Sequence, residues 1–178
     1  MLLTKIEEWE EKARNEEDSF NKYLSVFIAY NIFYNLHKKT EDPLADLTYG
    51  DRLRAIEILP LLDENGLFQS LEHEISAYIA FIPIYKNEYW DKNDTVPINT
   101  SFEEAFQKKD KKTTIEMLLK WLYKVRCNLV HGEKNYNDKD QKKLLKMSSS
   151  LLKKVLQNAV ETYRQFYVLG EGSSLFDR

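Results

Sequence analysis

The sequence has little cysteine, glycine or proline, with one, five and four of these in 178 residues. The lone Cys127 excludes an internal disulfide framework and a cysteine-rich zinc site. No glycine has the spacing of a Walker or dinucleotide-binding loop, so a glycine-rich phosphate cradle is excluded. No His/Cys or acidic cluster has metal-ligand spacing. We therefore expect a protein without a metal or a cofactor.

Long apolar runs are also lacking. No stretch reaches the roughly 18 apolar residues of a membrane span, and the first residues turn acidic before any stretch of signal-peptide length. We expect a soluble, cytoplasmic protein without a membrane partner. The length favours one domain over residues 1–178, with a surface loop insertion over 82–100 and a flexible tail over 170–178.

Apolar residues recur at three- and four-residue spacing along most of the chain, and no strand-like alternation of any length is present. This periodicity predicts an all-α fold. Residues 1–50 are expected to form one long or two consecutive helices. Further helices are predicted from Asp51 to Leu59, from Phe68 to Ile79, from Ser101 to Lys109, from Thr113 to His131 and from Asp138 to about Leu169.

Several polar side chains are expected to have structural rather than functional roles. Capping boxes are predicted at Ser101 with Glu104 and at Thr113 with Glu116. Three polar residues elsewhere are interpreted structurally: Asn31 as a buried amide bonded to a neighbouring helix, His37 as a solvated helix-end residue and His73 as a residue on a polar helix face.

Charge is distributed unevenly. Residues 1–104 carry 10 Lys or Arg against 21 Asp or Glu, whereas residues 105–154 carry 14 against 5. A basic third of the chain suits an anionic partner such as RNA, although solvated lysine-rich helix faces would give the same count.

The basic third contains the helix predicted from Thr113, which ends in a group of polar residues before Gly132. These are Arg126, Asn128 and His131. Residues five apart on a helix lie about 7.5 Å apart along its axis and about 140° apart around it. Arg126 and His131 could therefore reach one phosphate only at a groove or an interface that a partner completes. The structural alternative is that Arg126 pairs with a carboxylate and His131 caps the helix.

The segment WLYKVRCNLVHGEKN, residues 121–135, resembles the signature of HEPN domains, an Arg followed after four to six residues by a His at a helix end. In this chain these are Arg126 and His131, and Cys127 stands where the family often has a polar residue. The run SFNKYLSVFIAYNIFYNL, residues 19–36, resembles the first core helix of these domains. The resemblance extends over most of residues 18–169.

The resemblance implies an up-and-down bundle of four or five main helices, a homodimer that brings two motifs together, and metal-independent cleavage of RNA. His131 would act as general base or acid, Arg126 would stabilise charge on the phosphate, and Asn128 would orient it. Toxin or phage-defence roles, with an antitoxin or effector protein as partner, belong to the same expectation. The alternative is a non-catalytic HEPN module that binds RNA or nucleotides or mediates assembly. The expected RNA-binding residues are Lys124, Lys134 and Tyr136.

Overall fold

The computed structural model describes residues 2–82, 88–131 and 138–168, which are largely helical and contain no β-strand. The all-α class is therefore confirmed. This part of the chain holds seven α-helices, five of which have 14 or more residues. The helices are α1 Leu2–Asn15, α2 Ser19–Glu41, α3 Asp51–Glu57, α4 Glu64–Phe81, α5 Ile98–Gln107, α6 Lys111–Val130 and α7 Lys139–Tyr163.

The hydrophobic core lies between the long helices α2, α4, α6 and α7. Helix α2 packs against α7, and α4 contacts both α6 and α7. Helix α1 covers α2, α5 lies on α6, and short α3 contacts both α2 and α6. The bulkiest fully buried side chains are aromatic and include Trp121, Tyr23, Tyr30, Phe33 and Phe102. None of the described helices is long and apolar enough to cross a membrane.

The first fifty residues form two helices rather than one. Asp18 separates them as the N-cap of α2, and its carboxylate accepts a hydrogen bond from the backbone N–H of Asn21 at 2.9 Å. An aspartate at this position satisfies a backbone donor that the first turn leaves free. The chain can therefore turn between α1 and α2 and fold α1 back onto α2.

The N-terminus of α6 differs from the prediction of a Thr113–Glu116 capping box. Asp110 is the N-cap, and its carboxylate accepts from the backbone N–H of Thr113 at 3.1 Å and from the Thr113 hydroxyl at 2.7 Å. The helix begins at Lys111, and Glu116 forms an ion pair with Lys120 at 2.7 Å. Both Asp110 and Thr113 are good caps; the earlier one prevails here.

The sequence also predicts Asp51 as the N-cap of the helix that runs to Leu59, and this prediction is wrong. Gly50, in the left-handed conformation with φ +80°, is the N-cap of α3, and Asp51 is the first helical residue. The Asp51 carboxylate bonds to side chains of α2 and α6 instead. The helix ends at Glu57, and a 3₁₀ turn over Leu59–Leu61 accommodates Pro60.

The predicted loop over 82–100 is shorter and partly buried. Its residues 83–87 lie outside the described part of the chain. Trp90 is only 9% exposed, and α5 begins at Ile98 directly after Pro97, so the Ser101–Glu104 box is not its start. Proline suits this position because the first helical turn leaves backbone N–H groups unpaired in any case. The loop is thus attached to the core.

Helix α7 begins as predicted, with Asp138 as its N-cap. It extends to Tyr163 and continues as a π-helical turn over Arg164–Val168. The predicted helix end at Leu169 and the tail over 170–178 lie outside the described residues. In the middle of α7, the hydroxyls of Ser148 and Tyr78 are 2.9 Å apart, so a small polar residue marks the crossing with α4.

Of the predictions for His37 and His73, one is confirmed and one is wrong. His73 is exposed on α4, as predicted. His37 is not solvated: it is 2% exposed. Neither ring nitrogen makes a hydrogen bond of good geometry with a described residue, although the backbone of Glu57 lies close enough to favour the protonated form. The nearest carboxylate is that of Glu41, 3.5 Å from Nε2. Burial lowers the pKa of His37, and although Glu41 and Glu57 oppose this effect, burial prevails.

Candidate functional site

Arg126 is held against aromatic rings at the C-terminal end of α6. Its guanidinium carbon lies 5.6 Å from the ring centroid of Phe27 in α2 and 5.9 Å from that of Tyr123, one helical turn earlier. These distances are typical of cation–π contacts. Within residues 2–82, 88–131 and 138–168, no carboxylate forms an ion pair with this guanidinium. The alternative of an arginine paired with a carboxylate therefore has no partner in the described structure.

The charge of Arg126 is secure in this environment. Burial acts to lower its pKa, but a hydrogen bond with Cys127 and the nearby phenol of Tyr123 raise it, and the net shift is upward. A half-buried guanidinium that stays charged and has no carboxylate partner in the described ranges is well suited to bind the oxygens of a phosphate.

A carboxylate one layer deeper fixes the Tyr123 ring beneath Arg126. The Asp51 carboxylate accepts hydrogen bonds from the Tyr123 hydroxyl at 3.1 Å, the Tyr34 hydroxyl at 2.6 Å and the Asn31 amide at 3.0 Å. Burial, followed by the neighbouring carboxylate, raises the pKa of Tyr34, and the same two causes raise that of Tyr123. Both phenols therefore remain protonated donors, and Asp51 joins α2, α3 and α6 at one point.

Of the members of this cluster, sequence reasoning predicted only the role of Asn31. Asn31 does bond to a neighbouring helix, as expected, although it is half-buried rather than buried. The roles of Asp51 and Tyr123 were missed. A signal was present in the i, i+3 spacing of Asn31 and Tyr34, which places an amide and a phenol on one helix face.

His131 is the C-cap residue of α6. Its backbone N–H donates to the carbonyl of Cys127 at 3.0 Å, and its side chain is exposed. The residue before it, Val130, is 55% exposed, so the end of this helix presents both an imidazole and an apolar side chain to the surface. The predicted stop at Gly132 and the expected RNA-binding residues Lys134 and Tyr136 lie outside the described residues.

Asn128 and Lys124 lie on another side of α6. Asn128 is 8% exposed, and its amide donates to a carboxylate oxygen of Glu88 at 3.0 Å, while the Lys124 ammonium is 3.9 Å from the other oxygen. Residues 126 and 128 are about 200° apart around an ideal helix. Asn128 thus contacts the segment before α5, whereas Arg126 contacts α2.

One chain does not assemble the three predicted catalytic residues. In the part of the chain that the structure describes, no hydrogen bond or ion pair joins the side chains of Arg126, Asn128 and His131 to one another. The described residues also include no group of three or more His, Cys, Asp or Glu side chains that could hold a metal ion. The chemistry available at this end of α6 is that of a fixed guanidinium and an accessible imidazole.

Comparisons with known proteins gave no relative for this chain. No family model, no curated protein and no solved structure matches it. The resemblance to HEPN domains therefore depends on the Arg126–His131 spacing, the helix that carries it and the residues around it.

Proposed function

We propose that this protein is a metal-independent endoribonuclease of the HEPN type, in which two copies of the chain complete a site containing Arg126 and His131. The observation that carries the proposal is the state of Arg126. It is fixed against Phe27 and Tyr123 without a described carboxylate partner. An arginine positioned in this way has donors available for a phosphate group that arrives from outside.

The proposed reaction uses the internal nucleophile of RNA. His131 removes the proton of a ribose 2′-OH, and the 2′-oxygen attacks the adjacent phosphorus, to which it already lies close. Arg126 stabilises the negative charge that develops on the non-bridging oxygens. The bond from phosphorus to the 5′-oxygen breaks, and that oxygen takes up a proton. The products are a 2′,3′-cyclic phosphate and a 5′-hydroxyl, and DNA is not a substrate because it lacks the 2′-OH.

The geometry of α6 supports the part of the proposal that concerns a second chain. Arg126 is directed toward α2, while His131 lies at the exposed helix end beside Val130. A two-fold contact that brings two such helix ends together would place the Arg126 of one protomer near the His131 of the other. Lys124, which lies beside Glu88 on another side of α6, would bind the RNA backbone away from Arg126.

Cleavage of single-stranded RNA in the presence of a chelator tests the proposal. The parent should yield cyclic phosphate ends, and His131→Ala should slow cleavage by about 10²–10⁴-fold because a general acid–base is lost. Arg126→Ala should cause a comparable loss. Two matched controls, His73→Ala on the exposed face of α4 and Arg164→Ala in its surface pair with Glu7, should cleave like the parent.

Mixing the two inactive variants tests whether the site is shared between protomers. If Arg126 and His131 act from different chains, a mixed dimer contains one intact site and one site that lacks both residues. Random mixing makes half of the dimers mixed, so activity should return to about a quarter of the parent value. Light scattering on the same samples should report a dimer. No recovery from a confirmed mixture of dimers would contradict the shared site.

A toxin or phage-defence role, with an antitoxin or effector protein as partner, would be a suitable setting for this activity. Growth arrest on expression that disappears with His131→Ala would support it. Should the parent bind RNA and cleave none of the RNAs tested, the protein is better described as a non-catalytic HEPN module that binds RNA or assembles through the exposed end of α6.

A further inference from the structure

A second site of different character lies on the other side of α2. A cavity of about 390 Å³ opens between α1, the first turns of α2 and the middle of α7. We call it the α1–α2–α7 pocket. Its volume falls within the range of small-molecule binding sites. None of its lining residues belongs to the candidate catalytic site. Its polar and charged lining includes Glu10, Arg14, Lys22, Lys146, Ser149 and Lys153.

The rim of the pocket carries excess positive charge. Four cationic side chains and two acidic ones, Glu10 and Glu17, line it. Among the residues that the structure describes, Lys22, Lys146 and Lys153 form no ion pair with a carboxylate, whereas the fourth cation, Arg14, pairs with Glu11 outside the pocket lining. Glu10 lies close enough to Lys153 and Arg14 to interact with both, but the lining keeps an excess of two positive charges. Such an excess around a concavity attracts an anion.

The floor of the pocket is apolar and contains one unsatisfied hydroxyl. Ala13 and Val26 are 4% and 3% exposed. Ser149 is 6% exposed, and its hydroxyl oxygen has no hydrogen-bond partner in the described structure. Buried hydroxyls are normally bonded, as that of Ser148 is to Tyr78 on the adjacent face of α7. The Ser149 hydroxyl oxygen is also shielded from solvent, so the side chain must rotate before a ligand oxygen in the pocket can become its partner.

We propose that the α1–α2–α7 pocket binds a small organic phosphate monoester. The excess of two positive charges in the lining complements the charge of about −1.5 to −2 that a phosphate monoester carries at neutral pH. The phosphate lies among Lys22, Lys146 and Lys153, and the organic part packs on Ala13 and Val26. Ser149 donates to the ligand after a rotation of its hydroxyl-bearing side chain.

Calorimetric titration of the full chain with phenyl phosphate tests the proposal, since this probe combines a compact apolar body with a phosphate. Phenyl phosphate should bind at least about tenfold more tightly than inorganic phosphate, which lacks the body, or benzoate, which carries a single charge. Binding should weaken with added salt because the rim is accessible to solvent. Equal affinity for all three probes, or no binding of phenyl phosphate at millimolar concentration, would overturn it.

Variants separate the pocket from general surface charge. Lys146→Gln with Lys153→Gln should weaken phenyl phosphate binding by about tenfold or more. The control pair Lys112→Gln with Lys139→Gln removes the same charge from exposed residues outside the pocket and should leave the affinity unchanged. An equal loss in both pairs would mean that the probe senses net charge alone, which contradicts the proposal.

The single variant Ser149→Ala tests whether the hydroxyl of this residue contributes to ligand binding. It should weaken phenyl phosphate binding severalfold, while circular dichroism shows an unchanged helical fold, because the hydroxyl has no described partner to lose. Competition gives an independent check. If a short single-stranded RNA displaces phenyl phosphate completely, the groove is a nucleic-acid surface and the small-molecule site is wrong. RNA cleavage by the parent has no bearing on either result.

Discussion

Two arginines in neighbouring parts of the molecule have opposite surroundings. Arg54 of α3 is 5% exposed, and its donors are occupied. It donates to the side-chain oxygen of Asn35 at 2.8 Å, to the carbonyl of Leu47 at 3.1 Å and to the carbonyl of Tyr49. By these bonds it fastens the segment between α2 and α3 to α2. Arg54 is thus a structural residue whose bonding capacity is used within the chain.

Arg126 of α6 contacts the faces of two rings, and its donors have no described carboxylate partner. A ring face fixes the position of a guanidinium without occupying the N–H groups along its edge. An arginine that is held in position by ring faces, with no carboxylate partner among the described residues, is therefore a better candidate for function than a buried arginine with many bonds. The two residues should therefore respond to substitution in opposite ways.

The largest effect on stability is expected at Arg54. Arg54→Ala should lower the free energy of unfolding by about 3 kcal/mol, because it removes a buried side chain together with its hydrogen bonds to Asn35, Leu47 and Tyr49. Arg126→Ala should lower it by no more than about 1 kcal/mol, the value of a cation–π contact. Urea unfolding of both variants measures the difference. Similar losses at the two positions would contradict the distinction between them.

A smaller effect on stability is expected at Asp51, which connects α3, the helix of Arg54, with α6, the helix of Arg126. Asp51→Asn should lower the free energy of unfolding by about 2 kcal/mol, because the amide cannot accept from three donors as the carboxylate does. Tyr123→Phe should cost about 1 kcal/mol, the value of one hydrogen bond. The double variant should cost less than the sum of the two, because both changes remove the same bond. Additive losses would indicate that the bond contributes nothing.

Much of the fold could be predicted from the sequence because helices depend on neighbours a few residues apart. The start of α7, set by the aspartate N-cap Asp138, follows from local chemistry and was predicted. Errors of two or three residues arose where two caps compete, as with Asp110 and Thr113. Which cap is used depends on how the chain leaves α5, and this lies beyond the local pattern.

The surroundings of the site could not be predicted in the same way. Asp51 and Tyr123 are 72 positions apart, and nothing in either local sequence indicates their hydrogen bond. The burial of His37 likewise depends on other elements, since its titration is influenced by Glu57 of α3. Sequence spacing located Arg126 and His131 on α6, but the aromatic support of Arg126 depends on Phe27 of another helix.

The smallest predicted effect on stability concerns His37. Its two ring nitrogens are buried inside the protein, where no ligand can reach them. Burial lowers its pKa below the ordinary value of 6.5, while Glu41 and Glu57 oppose this and Lys38 adds to it. Below about pH 6.5 the unfolded chain takes up a proton on this residue more readily than the fold does. The stability of the parent should therefore fall as the pH decreases from 7 to 5, and this contribution should be constant above pH 7.

His37→Leu removes that dependence and fills the same buried position with an apolar side chain. Relative to the parent, the variant should gain more stability at pH 5 than at pH 8, because only in the parent does protonation of residue 37 favour the unfolded chain at acidic pH. Urea unfolding at the two pH values measures this difference and cancels the titration of the other groups. His73→Gln, at an exposed position of α4, is the matched control and should follow the parent at both pH values. A difference between His37→Leu and the parent that is the same at pH 5 and pH 8 would show that His37 titrates alike in the folded and unfolded chain, and that its buried nitrogens find a partner after all.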